Sequence, residues 1–157
     1  MIVVCDTSTI SNLLQIGLIE VLHNIFGQLI IPPAVKRELY RLPSQEIAIA
    51  NIDWVSTKAP RDQKMILNLL EDLDLGEAES ITLAYEDKAD YLLMDEFKGR
   101  EIASNYGIKV VGILGILIKA KQMGEIRSVK SKINDLIDIG FRLNRELIKK
   151  VLKDIGE

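Results

Sequence analysis

The sequence predicts an α/β protein built on a central, mostly parallel sheet. Short apolar runs alternate with longer segments in which apolar residues recur every three or four positions, a pattern typical of strands joined by crossover helices. The first run, residues 2–5, has no polar face, as expected for a strand that is covered on both sides. We therefore expect parallel strands joined by right-handed crossovers.

Length and composition fit a single globular domain with one substantial core. The chain has 157 residues, 48% of them hydrophobic and 27% charged, and its formal net charge is −3. A charge this small neither requires nor excludes nucleic acid, because a local basic patch can lie on an acidic body. The apolar runs are too short to cross a membrane. Met1 leads directly into the first strand, so no secretory signal is expected.

The chain has one cysteine, Cys5, and one histidine, His23. Cys5 lies inside the first apolar run, where an inert packing role is expected. One residue of each type cannot form an internal disulfide or a zinc site of the Cys/His kind. Together with the absence of membrane and secretory signals, this predicts a cytoplasmic protein without a membrane partner.

The first half of the chain carries clear signals for the ends of its elements. Ser8 or Thr9 can cap the first helix, and Pro33 suits the first position of the third. Gly27 and Pro43 each end a helix. The predicted elements are, in order, strand 2–5, a helix from about residue 10 to 16, helix 19–26, strand 29–31, helix 33–42, helix 44–51, edge strand 53–56 and helix 63–72.

Glycines divide the second half. We interpret Gly76 as a break before a helix, Gly107 as a helix C-cap, Gly124 as a helix end and Gly140 as the division between two amphipathic helices. The predicted elements are helix 77–88, strand 90–94, helix 97–105, strand 108–111, helix 112–122 and the two helices between residues 129 and 155.

Acidic residues occur where the predicted elements would bring them together. Asp6 and Asp95 each end an apolar strand, and ligands of open α/β sheets bind beyond the carboxyl ends of the strands. Glu38 follows the second strand within one helix, and Glu77 opens another. Glu79 points to a different face of that helix from Glu77, so at most one of the two needs to face the site.

A cluster of carboxylates loses hydration and suffers mutual repulsion, which a divalent cation offsets. Mg²⁺ accepts carboxylate and phosphate oxygens and lowers the pKa of a bound water, so the pattern indicates phosphodiester hydrolysis. Each acid alone also has an ordinary interpretation: a turn or cap for Asp6 and Asp95, a solvated side chain for Glu38, and a favourable first-turn charge for Glu77. Four other acids are expected to be solvated: Asp72, Asp74, Glu86 and Asp87.

Four segments resemble the ordered motifs of PIN-domain ribonucleases, whose commonest prokaryotic members are VapC-type toxins. These segments are residues 3–8, 35–39, 76–79 with 83–84, and 93–95. Residues 99–103 and 107–117 are similar to a less characterised prokaryotic PIN-like subfamily that also has a Gly-Glu-Ala-Glu signature and a helical tail. The resemblance implies a three-layer α/β/α fold. A PIN-like nuclease core would occupy residues 1–124, and a C-terminal helical extension, residues 125–157, would pack on the same domain.

The resemblance also implies a Mg²⁺- or Mn²⁺-dependent endoribonuclease that hydrolyses single-stranded RNA, with the toxin of a toxin–antitoxin pair as one role. The residues at the positions of the family's catalytic and metal-binding acids are Asp6, Glu38, Glu77 and Asp95. Ser8 matches the hydroxyl that shapes the site. The third acid is usually Asp in the toxins, and here it is Glu77. Glu96 adds a second acid after Asp95 that could share the metal.

RNA requires positive charge near this acidic site. Arg100 is the first candidate, because it lies about one helical turn beyond Asp95, and the other candidates are Lys36, Arg37, Arg41 and Lys98. The tail is also basic through Arg142, Arg145, Lys149, Lys150 and Lys153, although an exposed basic helix face is the simpler interpretation. A cognate antitoxin is a further expected partner, and the apolar helices near residues 10–26 could form a homodimer.

Three other functions are compatible with parts of this pattern. A catalytically inactive PIN-like module could bind RNA or protein with the same residues. A Mg²⁺-dependent phosphatase or a receiver domain could use a similar sheet, but a receiver needs an acidic pair at the first strand and Asp6 has no acidic neighbour there. A nucleotide-binding domain is disfavoured, because no glycine-rich loop follows the first strand.

Overall fold

The computed structural model describes all residues, 1–157, and it confirms the α/β fold. Five parallel strands form one sheet in the order β3-β2-β1-β4-β5. The strands are β1 (Val3–Cys5), β2 (Leu29–Ile31), β3 (Val55–Thr57), β4 (Tyr91–Leu93) and β5 (Val110–Val111). Val4 of the central strand lies between Ile30 of β2 and Leu92 of β4, so the first apolar run is the middle of the sheet.

Helices cover both faces of the sheet. They are α1 (Thr7–Gln15), α2 (Ile19–Phe26), α3 (Pro33–Leu39), α4 (Pro43–Ala50), α5 (Gln63–Leu69), α6 (Leu75–Glu86), α7 (Phe97–Asn105), α8 (Ile113–Gln122), α9 (Val129–Asp138) and α10 (Arg145–Asp154). No helix combines the length and the apolar character needed to cross a membrane.

The residues of β1 divide the core into two clusters. Val3 and Cys5 are fully buried among residues of α1, α2, α3, α8 and α9, whereas Val4 is buried against α5, α6 and α7. Successive side chains of a strand point to opposite faces of a sheet. The three-layer α/β/α architecture therefore follows directly from this alternation.

Several element boundaries differ from those predicted. Helix α1 begins at Thr7 and not near residue 10, because Asp6 itself is the N-cap. Gly76 lies inside the first turn of α6 and does not interrupt it. Helix α3 already ends at Leu39, and Pro43 begins α4 at its first position, where the missing N–H of proline leaves no hydrogen bond unmade.

The two C-terminal helices pack differently. Val129, Ile133 and Leu136 of α9 belong to the same buried cluster as Val3 and Cys5 of β1, whereas α10 has no buried residue. The end of α10 is held by the Glu157 carboxylate, which accepts hydrogen bonds from Lys121, from the Ser128 hydroxyl and from backbone N–H groups at the start of α9. These hydrogen bonds lower the pKa of Glu157 to about 2.

Candidate active site

An acidic pocket opens at the carboxyl edge of the sheet. It has a volume of about 370 Å³ and no hydrophobic residue in its lining. The lining residues are Asp6, Thr7, Ser8, Ser11, Asn12, Glu38, Asp74, Gly76, Glu77 and Glu96. Five of these residues are carboxylic acids and none is a cation. The pocket therefore concentrates negative charge that the protein itself does not neutralise.

Asp6 is the most deeply buried acid of the pocket, with 4% of its surface exposed. Its backbone N–H donates to Leu93 O of β4 at 3.0 Å, which fixes it at the end of the central strand. Burial raises the pKa of Asp6 to about 6, and the charge of Asp95 adds to this. Hydrogen bonds from the Thr9 N–H to Oδ1 (3.1 Å) and from the Ser8 hydroxyl to Oδ2 (3.3 Å) oppose the rise.

The carboxylate of Glu38 is held from two sides. The Thr7 hydroxyl donates a hydrogen bond to Glu38 Oε2. The backbone of Gly76 lies directly against the same group, so that a Cβ at position 76 would be 2.6 Å from Glu38 Oε1. Because real contacts of a Cβ are longer than this, only glycine lets α6 approach Glu38 so closely. Helices α1, α3 and α6 thus meet at one carboxylate.

Glu77 reaches the pocket from the first turn of α6. It forms a capping box with Asp74: the Glu77 N–H donates to Asp74 Oδ1 at 2.8 Å, and the Asp74 N–H donates to Glu77 Oε1 at 3.2 Å. Burial raises the pKa of Glu77 to about 7, and the charges of Asp74 and Glu96 contribute. An ionised Glu77 is therefore unfavourable without a nearby positive charge.

Glu79 points away from the pocket and has a different role. It is 8% exposed, and its Oε1 accepts a hydrogen bond from the Ala34 N–H at 3.1 Å. Ala34 is the second residue of α3, whose first N–H groups have no partner within the helix. Glu79 thus ties α6 to the start of the helix that carries Glu38. Each residue of the Gly-Glu-Ala-Glu segment thus has its own role. Gly76 leaves room for Glu38, Glu77 lines the pocket, Ala78 is buried in the core, and Glu79 accepts the hydrogen bond from α3.

Asp95 follows β4 but does not line the acidic pocket. It lies in the wall of an adjoining groove, and its Oδ1 accepts a hydrogen bond from the Ile113 N–H of α8 at 2.9 Å. Burial raises the pKa of Asp95, while the nearby Arg100 guanidinium opposes the rise. Glu96 lies in the pocket instead and caps α7 by accepting from the Gly99 N–H at 3.0 Å. The structure therefore brings Asp6, Glu38 and Glu77 into one pocket and places Asp95 at its border.

The chemistry of these donors fits a hard divalent cation. All are carboxylate oxygens, and burial raises the pKa values of Asp6, Glu77 and Asp95, so that a bound cation would favour their ionised forms. In the present arrangement no group of three His, Cys, Asp or Glu side chains is positioned to hold a metal ion. Mg²⁺ usually takes only one or two carboxylates and completes its shell with water and phosphate oxygens. The donor set is therefore adequate for Mg²⁺ or Mn²⁺.

A family model described as PIN domain, that of the DUF3368 family, matches residues 2–157. The chain is a PIN-domain protein. Among solved structures it is similar to a PilT N-terminus domain protein, SSO1118, from the archaeon Sulfolobus solfataricus P2. The two are 18% identical, the alignment covers 76% of this chain and 93% of the other, and the TM-score is 0.45. No curated protein matches the chain. Because PIN domains are generally nucleases and typically use divalent metals, the family supports a nuclease-like fold.

The basic residues predicted to contact RNA lie in different surroundings in this PIN-domain protein. Arg100 lines the groove beside Asp95. Lys98 instead forms an ion pair with Asp72 at 3.1 Å, and Lys36 lies over the ring of Tyr40, 5.3 Å from its centroid. Lys36, Arg37 and Lys98 line neither the acidic pocket nor the groove.

The roles of Asp74, Thr7 and Glu79 in lining or supporting the PIN-domain site were not predicted from the sequence. Asp74 was expected to be solvated only, yet it lines the pocket and orients Glu77. The spacing of an N-cap residue and a glutamate three positions later is a capping-box signal that could have revealed it. Thr7 and Glu79 carry no comparable local signal, because their partners, Glu38 and Ala34, are distant in the sequence.

Proposed function

We propose that this PIN-domain protein is a divalent-metal-dependent endoribonuclease that hydrolyses phosphodiester bonds of single-stranded RNA. One observation carries the proposal: five carboxylates and no cationic side chain line one pocket, and the most buried of the acids, Asp6, ends the central strand. Uncompensated carboxylates reduce the stability of a fold, so their presence together favours a role that requires a metal and a phosphate.

In this proposal Asp6 and Asp95 would hold Mg²⁺ or Mn²⁺ directly or through water, and Glu38 and Glu77 would complete the shell or position the attacking water. The bound metal would polarise the phosphoryl group and increase the acidity of a bound water. The rest of the chemistry depends on how the chain holds its own side chains. The Thr7 hydroxyl orients Glu38, and the Ile113 N–H fixes Asp95 Oδ1 and leaves Oδ2 free to accept another contact.

The test is cleavage of a labelled single-stranded RNA by the full chain in Mg²⁺, in Mn²⁺ and in EDTA. We expect cleavage with either metal, none in EDTA, and none with Asp6→Asn, because that substitution removes the buried negative charge. Asp138→Asn is the matched control: Asp138 is exposed at the end of α9 and lines neither cavity. Cleavage that persists in Asp6→Asn at the level of Asp138→Asn would contradict the assignment.

The inactive PIN-like module is the alternative, and the lack of three side chains already arranged around a metal position favours it. The same assay separates the two functions. An inactive module binds the RNA but cleaves none of it in Mg²⁺ or Mn²⁺, and its affinity for RNA does not depend on either metal.

The cellular role is a finer part of the proposal. If the chain is the toxin of a toxin–antitoxin pair, its expression should arrest growth, Asp6→Asn should not, and co-expression of the cognate antitoxin should restore growth. A homodimer through the helices near residues 10–26 remains a prediction that sedimentation velocity tests. A cytoplasmic location, expected from the sequence, also remains a prediction.

A further inference from the structure

A second cavity, which we call the flanking groove, adjoins the acidic pocket. It has a volume of about 810 Å³, and half of its sixteen lining residues are hydrophobic. Helix α7, strand β5 and helix α8 form one side, and the C-terminal extension forms the other through the segment from Arg142 to Val151. Asp95 lies in its wall, and the next residue, Glu96, lies in the wall of the acidic pocket. Consecutive residues of the chain thus line the two cavities.

The flanking groove contains the arginines that the acidic pocket lacks, together with two acids, Asp95 and Glu101. Arg100 of α7 and Arg142 of the extension both line it. None of the ion pairs of the chain includes either arginine. Arginine offers a planar array of donors that suits phosphate oxygens. Arg100 lies near the Asp95 carboxylate, so Arg142 is the guanidinium that is freer to bind an anion.

Phe97 is an exposed aromatic residue of the flanking groove. It is the first residue of α7, it follows Glu96 directly, and it is 78% exposed, the largest exposure among the large hydrophobic side chains of the chain. A ring so exposed contributes little to the core of the protein. It also borders the flanking groove, where a flat aromatic face can stack on a nucleobase.

We propose that the flanking groove binds the stretch of single-stranded RNA next to the scissile phosphate, with Arg100 and Arg142 on phosphates and Phe97 stacked on a base. This inference rests on the proposed function, because the occupant is identified by the position of the groove beside the acidic pocket. Arginines and an exposed aromatic ring offer the two kinds of contact, to phosphates and to bases, by which proteins bind single-stranded nucleic acid. The C-terminal extension thereby becomes part of the substrate site.

The experiment measures binding of a fluorescein-labelled oligouridine by anisotropy, over a series of salt concentrations, with the full chain carrying Asp6→Asn so that the RNA stays intact. Addition of Arg142→Ala should weaken binding severalfold and reduce the slope of log affinity against log salt by about 0.7, the value for one lost phosphate contact on a single strand. Arg145→Ala is the matched control. It removes the same charge three residues away, from a position outside the groove, and should leave the slope unchanged.

Substitutions of Phe97 test the stacking contact separately. Phe97→Ala should weaken binding at least about fivefold, Phe97→Leu should weaken it similarly although it remains apolar, and Phe97→Tyr should retain it, because only an aromatic ring stacks on a base. Circular dichroism and thermal unfolding verify that each variant is folded, as the exposure of position 97 leads us to expect.

Several outcomes would overturn this assignment. One is an equal effect of Arg142→Ala and Arg145→Ala, and another is full affinity in Phe97→Leu. If RNA binding is unchanged but Arg142→Ala alters the sedimentation coefficient, the groove holds a second copy of the chain. If all groove variants bind RNA normally and remain monomeric, the groove does not contact the RNA and the assignment is wrong. If the Asp6→Asn chain itself does not bind oligouridine at low salt, the proposed function is refuted as well. If that chain binds oligouridine and the groove variants bind it equally well, only the groove assignment is refuted.

Discussion

Replacement of Asp6 by asparagine should stabilise the metal-free protein while it abolishes cleavage. Asparagine has nearly the same shape and carries no charge. Its Oδ1 can still accept the hydrogen bond from the Thr9 N–H that caps α1, and its Nδ2 can donate to the Ser8 hydroxyl that now donates to Asp6. The substitution therefore removes the buried charge and keeps the local hydrogen bonds.

The pKa of Asp6 gives the size of the expected gain in the free energy of unfolding. Burial raises it in the folded protein from the ordinary value of 3.8 to about 6. An acid whose folded pKa is raised contributes stability below its unfolded pKa, and this contribution is lost as the pH rises through the folded pKa. At about pH 8 the full difference applies, and about two pH units correspond to about 3 kcal/mol. For a chain of this length that is about 6 to 12 °C in Tm.

The assay is urea unfolding in EDTA at about pH 8 and again at about pH 4, where Asp6 of the folded wild type is mostly protonated. We expect Asp6→Asn to raise the free energy of unfolding by up to about 3 kcal/mol at the higher pH and by much less at the lower pH. Addition of Mg²⁺ should then stabilise the wild type, by about 1.4 kcal/mol for each tenfold excess over Kd, and leave Asp6→Asn unchanged.

Two results would refute this reasoning. One is a variant Asp6→Asn that is less stable than the wild type at about pH 8 by more than about 0.5 kcal/mol, the change typical of a surface substitution. The exposed Asp138→Asn variant measures that typical change in this protein. Equal stabilisation of both chains by Mg²⁺ would show that the cation binds elsewhere.

Three further perturbations test how the pocket is held together. In Gly76→Ala the new methyl group would lie 2.6 Å from Glu38 Oε1, so the Glu38 carboxylate must move. The helix preference of alanine, about 1 kcal/mol, should offset the cost of that movement and leave the free energy of unfolding nearly unchanged. The displaced carboxylate should lower kcat for RNA cleavage about tenfold to a hundredfold. Glu79→Ala leaves the Ala34 N–H without its acceptor and should lower the free energy of unfolding in urea by about 1 to 3 kcal/mol, whereas Glu79→Gln keeps an acceptor and should lose less; equal losses would contradict the role of the hydrogen bond. Burial raises the pKa of Glu77 to about 7, so Mg²⁺ binding near this pH should release protons. The Mg²⁺ affinity measured by calorimetry should therefore rise between about pH 6 and pH 8. A constant affinity over that range would contradict a role of Glu77 in binding the metal.

Much of the fold follows from local signals. Helix α2 ends before Gly27, which has a φ of +76°, and α7 begins and ends at the predicted residues, because capping and left-handed glycines act within a single turn. Gly76 was misinterpreted for a reason that lies outside its own helix. Glycine often marks the end of a helix, but Gly76 lies in the first turn of α6. Its missing side chain leaves room for the Glu38 carboxylate.

The sequence by itself determined which acids stand at the ends of the strands, because an apolar run followed by aspartate marks the carboxyl edge of a parallel sheet whatever the remainder of the chain does. Only the tertiary structure decided where each acid points. It placed Glu77 in the pocket and Glu79 against the start of α3, and it put Asp95 in the wall of the flanking groove. The direction of a side chain on a helix depends on how closely other helices approach it, and those approaches are set by contacts between residues far apart in the sequence.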